Sequence, residues 1–549
     1  MARQNNPLSV GRAKGPGERT FEFQFITPDK DRVKIGEFVY YVYTDQLKKE
    51  HKVLCRVVNR NPLRLYPDVM LSQPVLNPAD IACTIDYTDS EEMDFYLIDA
   101  QIIGFFDDKK KIFENPRVPP KPGVPILLAD GDDLEKWINP IMLDKPRSAC
   151  IGHLLSRKVN KVPISIDVND IVSTHLAVLA ATGSGKSYTV GVVLEEMMMA
   201  KNRGAVLVID PHDEYNTLEE MENNSKFHDG SYRPEVNLLK SDDIHIKLST
   251  MNALEVIGLL KNLSEKMQNY LRTAFNTVKK RHPASFTVQD IKDELDGYCV
   301  NNGQLQPTID GIKWRLDAYL ESKQIISDVK HIHLREILMP GKITVLNVSS
   351  LKEEDQQLTV TVLLDRILKQ RILAERGDSV TNDPDDLDPN KNQDLLDYPV
   401  FIVLEEGHRF APANSESRSK YVLKTILSEG RKFGVGVCLV SQRPGKLDSD
   451  VLSQCMTQII MKIINPIDQK NIRDSVEAVS EDIIDELPGL TMGQAVIAGE
   501  AINTPVLINI RERITEHGGD SPEAVENWRK YKKEEKVLKA VDNQDEPLL

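Results

Sequence analysis

Thr182-Gly-Ser-Gly-Lys-Ser187 lies between an apolar run that starts at His175 and a stretch with helical patterning, and that context makes it a phosphate-binding loop. Gly183 and Gly185 allow a tight backbone that aims N–H groups inward, and the helix from Ser187 adds its positive end at the same point. Lys186 would neutralise the β- and γ-phosphates and Ser187 would bind Mg²⁺, the chemistry of nucleoside triphosphate hydrolysis. The first glycine of the G-x-x-x-x-G-K-S pattern is Ala180, a small residue that keeps the turn.

A phosphate loop serves kinases, switches and motors alike, so a second acidic site decides more. Tyr398-Pro-Val-Phe-Ile-Val-Leu-Glu-Glu-Gly-His-Arg-Phe-Ala-Pro412 is a buried-type strand ending in Glu405 and Glu406, at the strand end where ligands sit in such sheets. Adjacent strand residues point to opposite sides, so the two acids can hold different tasks. Glu405 would orient Mg²⁺ and Glu406 would polarise the attacking water.

Three further positions join them. Asp210 closes another apolar run just before Pro211, and reads either as a group that positions Mg²⁺ or water or as a turn residue. Gln442 sits at a strand end that can read the γ-phosphate, and Arg431, in Glu429-Gly-Arg-Lys-Phe-Gly434, is the candidate arginine finger for a neighbouring subunit. His212 and His408 lack clustered partners and read as loop or packing histidines rather than metal ligands.

These residues need a sheet to carry them. From about residue 150, apolar strands at 174–180, 205–210, 343–348, 400–405, 435–441, 458–463 and 494–497 alternate with helical patterns, which implies an α/β fold with a parallel sheet covered on both faces. Helical periodicity over 252–327 reads as an insertion that separates Lys186 from Glu405 in sequence. Residues 1–130 are β-rich, as in the alternating Phe21-Glu-Phe-Gln-Phe-Ile26, and suggest a small barrel. The proline-rich stretch 116–125 reads as a linker leaving it. The core is thus expected in two parts, 131–251 and 328–502, and the tail 503–549 as a β-like then helical extension that grips a neighbouring subunit.

The 549 residues carry a net charge of −15, which does not advertise a nucleic-acid surface. Much of the acid is concentrated, however, notably in 377–394, and a ring needs positive charge only along its channel. No apolar run is long enough for a membrane span and the polar start is unlike a signal peptide, so a cytoplasmic protein with no membrane partner is expected. The six cysteines are scattered without a C-x-x-C pair, which indicates neither zinc nor a disulfide framework.

Taken together and in order, the phosphate loop around Thr174–Thr189, Ile209-Asp-Pro-His-Asp-Glu-Tyr215, Leu404-Glu-Glu-Gly-His-Arg-Phe-Ala-Pro412, Arg431-Lys-Phe-Gly434 and Ser441-Gln-Arg-Pro444 resemble the motifs of the HerA family of DNA translocases, within the wider group of FtsK-like motors. The resemblance covers most of the chain. It implies a RecA-like P-loop ATPase core with an N-terminal β-barrel, a helical-bundle insertion and a C-terminal extension. It also implies a homohexameric ring, ATP and Mg²⁺ at subunit contacts, duplex DNA as the partner, and service to a nuclease of the NurA type or another effector in repair or phage defence. On this chain it makes Thr182, Gly183, Ser184, Gly185, Lys186, Ser187 and Tyr188 the nucleotide-binding set. Ser187 and Glu405 become the metal ligands, Glu405 and Glu406 the acidic pair, Gln442 the sensor and Arg431 the finger in trans. Ala180 and Asp213 stand where glycines are commoner. Competing readings are a protein-remodelling ATPase, against which the lack of an aromatic pore signature speaks, a membrane-anchored pump, and a scaffold that uses ATP only as a switch.

Overall fold

The computed structural model describes residues 9–63, 95–299, 303–321, 326–327, 332–377 and 394–518 apart from a few single positions, together with 524–526 and 528–529. Most of the acidic 377–394 stretch and of the charged helical pattern near the C-terminus lies outside the described residues.

The N-terminal strands are β1 (Ser9–Pro16), β2 (Glu22–Thr27), β3 (Phe38–Thr44), β4 (Glu50–Leu63), β5 (Phe95–Asp107), β6 (Ile112–Glu114) and β7 (Pro125–Leu128). Six of them run in the order β2-β1-β7-β3-β4-β5, and β5 pairs back onto β2, so the antiparallel sheet closes into a barrel. In β2 every second side chain is buried, which places Phe23 and Phe25 inside with Val39, Tyr41 and Cys55. Closure leaves no free edge among these six strands. The proline-rich stretch does not lead away from the barrel as expected. It ends in β7, which fills the gap between β1 and β3, because proline can open a strand although it cannot donate within one.

The central sheet has eleven strands, with β8 (Ser148–Leu154), β9 (Pro163–Asp167), β10 (Leu176–Leu179), β11 (Ala205–Asp210), β12 (Glu235–Lys240), β15 (Lys342–Asn347), β16 (Val400–Leu404), β17 (Val435–Ser441), β18 (Thr457–Ile460), β19 (Gln494–Gly499) and β20 (Val506–Ile510). A short parallel pair, β13 (Ile246–Lys247) and β14 (Ile326–Ser327), brackets the helical insertion, whose helices span Ala253–Leu259, Glu265–Arg281, Val288–Gly297 and Gln306–Leu316. The order β12-β15-β11-β16-β17-β10-β18 is parallel throughout, with one strand between the phosphate-loop strand β10 and the acidic strand β16. That is the RecA-like arrangement.

Two expectations change here. The sheet is not parallel throughout, since β19, β20, β8 and β9 follow β18 in antiparallel register. The β-like start of the tail is not an appendage but β20, paired on both sides inside this sheet. Apolar runs such as 494–497 and 504–510 look the same in either direction, so direction was not readable from them. β12 has no apolar run to announce it, being an edge strand whose residues are half-buried or exposed.

Every residue of β10, β11, β16 and β17 is buried, because helices cover both faces of the sheet. One face packs against the insertion and the helices Glu353–Arg376 and Arg418–Phe433. The other packs against the helix Lys186–Met198 and reaches Phe38, Tyr40 and Leu54 of the barrel. Ion pairs Arg157–Glu37 and Arg56–Asp482 seal the barrel to the core.

Candidate nucleotide site

The turn after β10 is built as its glycines predict. Gly183 has φ 77° and Gly185 φ 97°, backbone states that an L side chain rarely adopts, and the helix Lys186–Met198 starts directly behind them. Ala180 shows no such strain and is fully buried, which explains why a residue with a Cβ serves there. Asp213, by contrast, has φ 61°, the conformation that makes glycine common at that place.

Lys186 and Glu405, 219 residues apart, meet as a buried ion pair. Burial opposes the charge on Lys186, but the Glu405 carboxylate beside it more than offsets this and holds the ammonium above its ordinary pKa. The second oxygen of Glu405 accepts from the Tyr215 hydroxyl, itself kept protonated by complete burial and by the Glu405 charge. Ser187 donates to Glu214 Oε2. Ser187, Glu405 and Glu214 thus converge as hard oxygen donors beside Lys186, which suits Mg²⁺ held through few side chains, phosphate and water. Among the described residues no three His, Cys, Asp or Glu side chains form a self-sufficient metal cage.

Glu406 is separated from Glu405 by a different device from the strand alternation expected. It stands just beyond the end of β16 with φ 52°, a left-handed residue that swings its side chain away. There it is flanked by His408, with Nδ1 3.1 Å from Oε2, and by His212, with Nε2 3.8 Å from Oε1. The His408 contact lacks hydrogen-bond geometry, so Glu406 Oε2 is buried without a hydrogen-bond partner. Burial, with Arg409, Lys446 and Arg443 nearby, pushes His408 down to about 4 and leaves it neutral. The two histidines read as packing groups therefore border the candidate water-activating acid.

Asp210 holds a turn beside the site. It is fully buried and accepts from the backbone N–H groups of His212, Glu214 and Tyr215 at 3.0, 2.8 and 3.1 Å. Burial raises its pKa to about 6, against the pull of those amides. Asp210 shapes the loop that delivers Glu214 and Tyr215, two residues that the sequence pattern does not single out. Their signal was their place, four and five residues beyond a strand-ending acid.

Gln442 does reach the phosphate loop, where Thr182 Oγ1 lies 2.8 Å from its Oε1. Arg443 and Lys446 are exposed on the loop just beyond β17. Arg431 is not part of this cluster. It is exposed near the end of the helix Arg418–Phe433, before β17 begins, whereas the site lies beyond its other end, about 20 Å away at roughly 3.3 Å per residue. Tyr188 faces the segment after β20, its hydroxyl accepting from the backbone N–H of Arg513 at 2.7 Å.

The family model for the central domain of the helicase HerA matches residues 149–367. A probable helicase of Methanocaldococcus jannaschii is 31% identical over 527 residues, 93% of this chain and 92% of that protein. A probable DNA double-strand break repair helicase HerA of the same organism is 31% identical over 476 residues, covering 80% and 89%. The DNA double-strand break repair helicase HerA of Saccharolobus solfataricus is 29% identical over 444 residues, covering 79% and 81%.

Proposed function

We propose that this chain, which belongs to the HerA helicase family, acts as a hexameric ring that threads duplex DNA and serves a nuclease of the NurA type or another effector in DNA end processing, repair or phage defence. As a member of that family it is an ATP-dependent DNA helicase. The observation that carries the mechanism is the convergence of Lys186, Ser187, Glu214 and Glu405 at one edge of the parallel strands.

A triphosphate seated on the backbone amides of residues 182–187 brings its γ-phosphate toward Glu405, Glu406 and Gln442. Phosphate charge then competes with Glu405 for Lys186, and Lys186 turns from its carboxylate partner to the β- and γ-phosphates. Ser187 and Glu405 would hold Mg²⁺, with Glu214 beside them, and the ion supplies positive charge to the phosphate oxygens. Tyr215 keeps Glu405 aimed at that point. Glu406, free of hydrogen bonds at Oε2, takes the proton of the attacking water, and Gln442 links the γ-phosphate position to Thr182. Because Arg431 is remote from its own site, it is assigned to the site of a neighbouring subunit, which requires the ring.

Among the described residues no helix is long and apolar enough to cross a membrane. We place the protein in the cytoplasm and assign the exposed cations Arg443 and Lys446 to the DNA channel. Duplex DNA should raise ATP turnover several-fold. Affinity for DNA should fall with salt at a slope near −0.9Z in log K against log[salt] for Z neutralised phosphates, a slope that shrinks in Arg443→Ala/Lys446→Ala. Turnover indifferent to DNA, with no salt-sensitive binding, would instead favour a protein-remodelling or scaffold role.

A further inference from the structure

Glu195 is fully buried in the helix Lys186–Met198, where a carboxylate needs strong compensation. The segment after β20 supplies it. Arg511 pairs with Glu195 and Glu196 at 2.8 and 3.0 Å, and Glu195 Oε1 accepts from the backbone N–H groups of Ile514 and Thr515 and from the Thr515 hydroxyl, each at 2.9 Å. The Arg513 side chain lies against the same helix at Gly191, where an added Cβ would stand 2.7 Å from its guanidinium carbon. Nearer the phosphate loop, the Arg513 N–H donates to the Tyr188 hydroxyl at 2.7 Å and its guanidinium sits over the Tyr188 ring. Residues 511–515 are thereby fixed along the helix whose first turn carries Ser187.

The far end of this strap reaches a different element. Beyond Thr515 it meets the turn Asn216–Glu222, which follows β11 and the loop bearing Glu214 and Tyr215. The Glu516 N–H donates to Glu220 Oε2 at 2.9 Å, and the Thr217 hydroxyl donates to the Glu516 carbonyl at 2.8 Å. Gly518 closes the contact, since a Cβ there would stand 2.9 Å from the Glu214 carbonyl oxygen and 2.7 Å from Asn216 Oδ1, closer than a side chain packs. One piece of chain therefore grips both elements that carry Ser187 and Glu214, whose side chains meet beside Lys186. Asp210 holds the Glu214 loop through the amides of His212, Glu214 and Tyr215, and the strap holds it from the Thr217 side. The anchor on Glu195 already seats the strap on the helix, so the contacts at 516–518 serve the loop.

We propose, on the basis of the nucleotide site inferred above, that residues 511–518 position Glu214 against Ser187 and thereby set the affinity of that site for the divalent cation that accompanies the phosphates. Gly518 and Thr217 are positioning residues that act through Glu214. Outer partners of a cation's ligands fix their direction, and losing them weakens the cation without removing a ligand. Phosphate held by the loop amides and Lys186 without a cation needs no such positioning.

The test is calorimetric titration of the full chain with the non-hydrolysable analogue AMPPNP, once with Mg²⁺ and once with EDTA. Gly518→Ala, which pushes the strap off the Glu214 carbonyl, should weaken AMPPNP about tenfold in Mg²⁺ and leave it within about twofold in EDTA. Thr217→Val should show a smaller loss of the same kind, and Thr217→Ser, which keeps the hydroxyl, should bind as the parent does. Both positions are half-buried and outside the hydrophobic core, so the variants keep the fold. Glu214→Gln should lose the same Mg²⁺-dependent increment, and adding Gly518→Ala to it should cost nothing more, because the strap acts through Glu214. Unchanged affinity in Gly518→Ala, an equal loss with and without Mg²⁺, or additive losses in the double variant would overturn the positioning role. Lys186→Ala separates this from the underlying reading, because it should weaken AMPPNP in EDTA as well. If it did not, the phosphate site itself would be misplaced.

Discussion

The two halves of the central sheet are both deeply buried, but they handle charge in opposite ways. In the parallel half, β10, β11, β16 and β17 all end at one edge, so the loops bearing Lys186, Glu214, Glu405 and Gln442 have to meet there. In the antiparallel half the strand ends alternate between the two edges. The charges buried beside it, Arg511 and Arg513 with Glu195 and Glu196, neutralise one another along a helix flank. A parallel sheet concentrates polar chain ends at one place and makes a site. An antiparallel one disperses them and leaves structure.

Breaking the parallel half should have the largest effect. Lys186→Ala should bring ATP turnover to background and also destabilise the nucleotide-free protein by about 3–5 kcal/mol, because Glu405 is left buried without its partner. Adding Glu405→Gln should restore much of the melting temperature but none of the turnover. A Lys186→Ala protein that still hydrolyses ATP would sink the assignment.

Arg431→Ala should lower turnover by about 10³ or more, the range of arginine fingers, although the residue is remote from its own site. Mixed with Lys186→Ala subunits it should regain part of the activity, since each mixed ring can hold an intact composite site. Verified mixed rings with no recovery would remove the trans role. Next in size, Glu406→Gln should cost about 10²–10³ in rate while ATP binding persists, the signature of a lost proton acceptor. Parental turnover would mean that Glu406 is not the base.

The antiparallel half should answer differently. Arg511→Ala leaves Glu195 fully buried without its strongest partner, and should cost about 3 kcal/mol of stability. Its catalytic effect should appear mainly in KM for ATP, through Tyr188, with kcat little changed. A fall in kcat at constant KM would erase the contrast between the halves.

The smallest expected effect lies where the barrel meets the core. Burial pushes Glu486 up to about 7, opposed by Arg56 and reinforced by Asp482. A carboxyl whose folded pKa exceeds its ordinary 4.5 contributes stability that is full below that value and lost as pH rises through about 7. Glu486→Gln should therefore flatten the melting temperature between about pH 4.5 and 7, and identical pH slopes would show that Glu486 titrates normally.

Much of the site was legible because its signals are local. Gly183 and Gly185 are demanded by positive φ, and Glu405 by the end of a fully apolar strand. Glu214 and Tyr215 were not selected because nothing in a loop sequence says which residue turns inward, and here the amide bonds to Asp210 make that choice. Arg513 carried no signal at all, since it gains its meaning from a contact across the fold with Gly191.

The amino-acid sequence by itself determined the alternation of strands and helices, the barrel's inward phenylalanines, the phosphate loop and the acidic strand end, all properties written within a dozen neighbouring residues. Tertiary structure alone decided that β7 closes the barrel, that β19 and β20 run against their neighbours, that Lys186 finds Glu405, and that Arg431 stands at the far end of the sheet. The physical reason is that hydrophobic periodicity records which face of an element is buried but neither its direction nor its partner. Those follow from closing and packing the whole sheet.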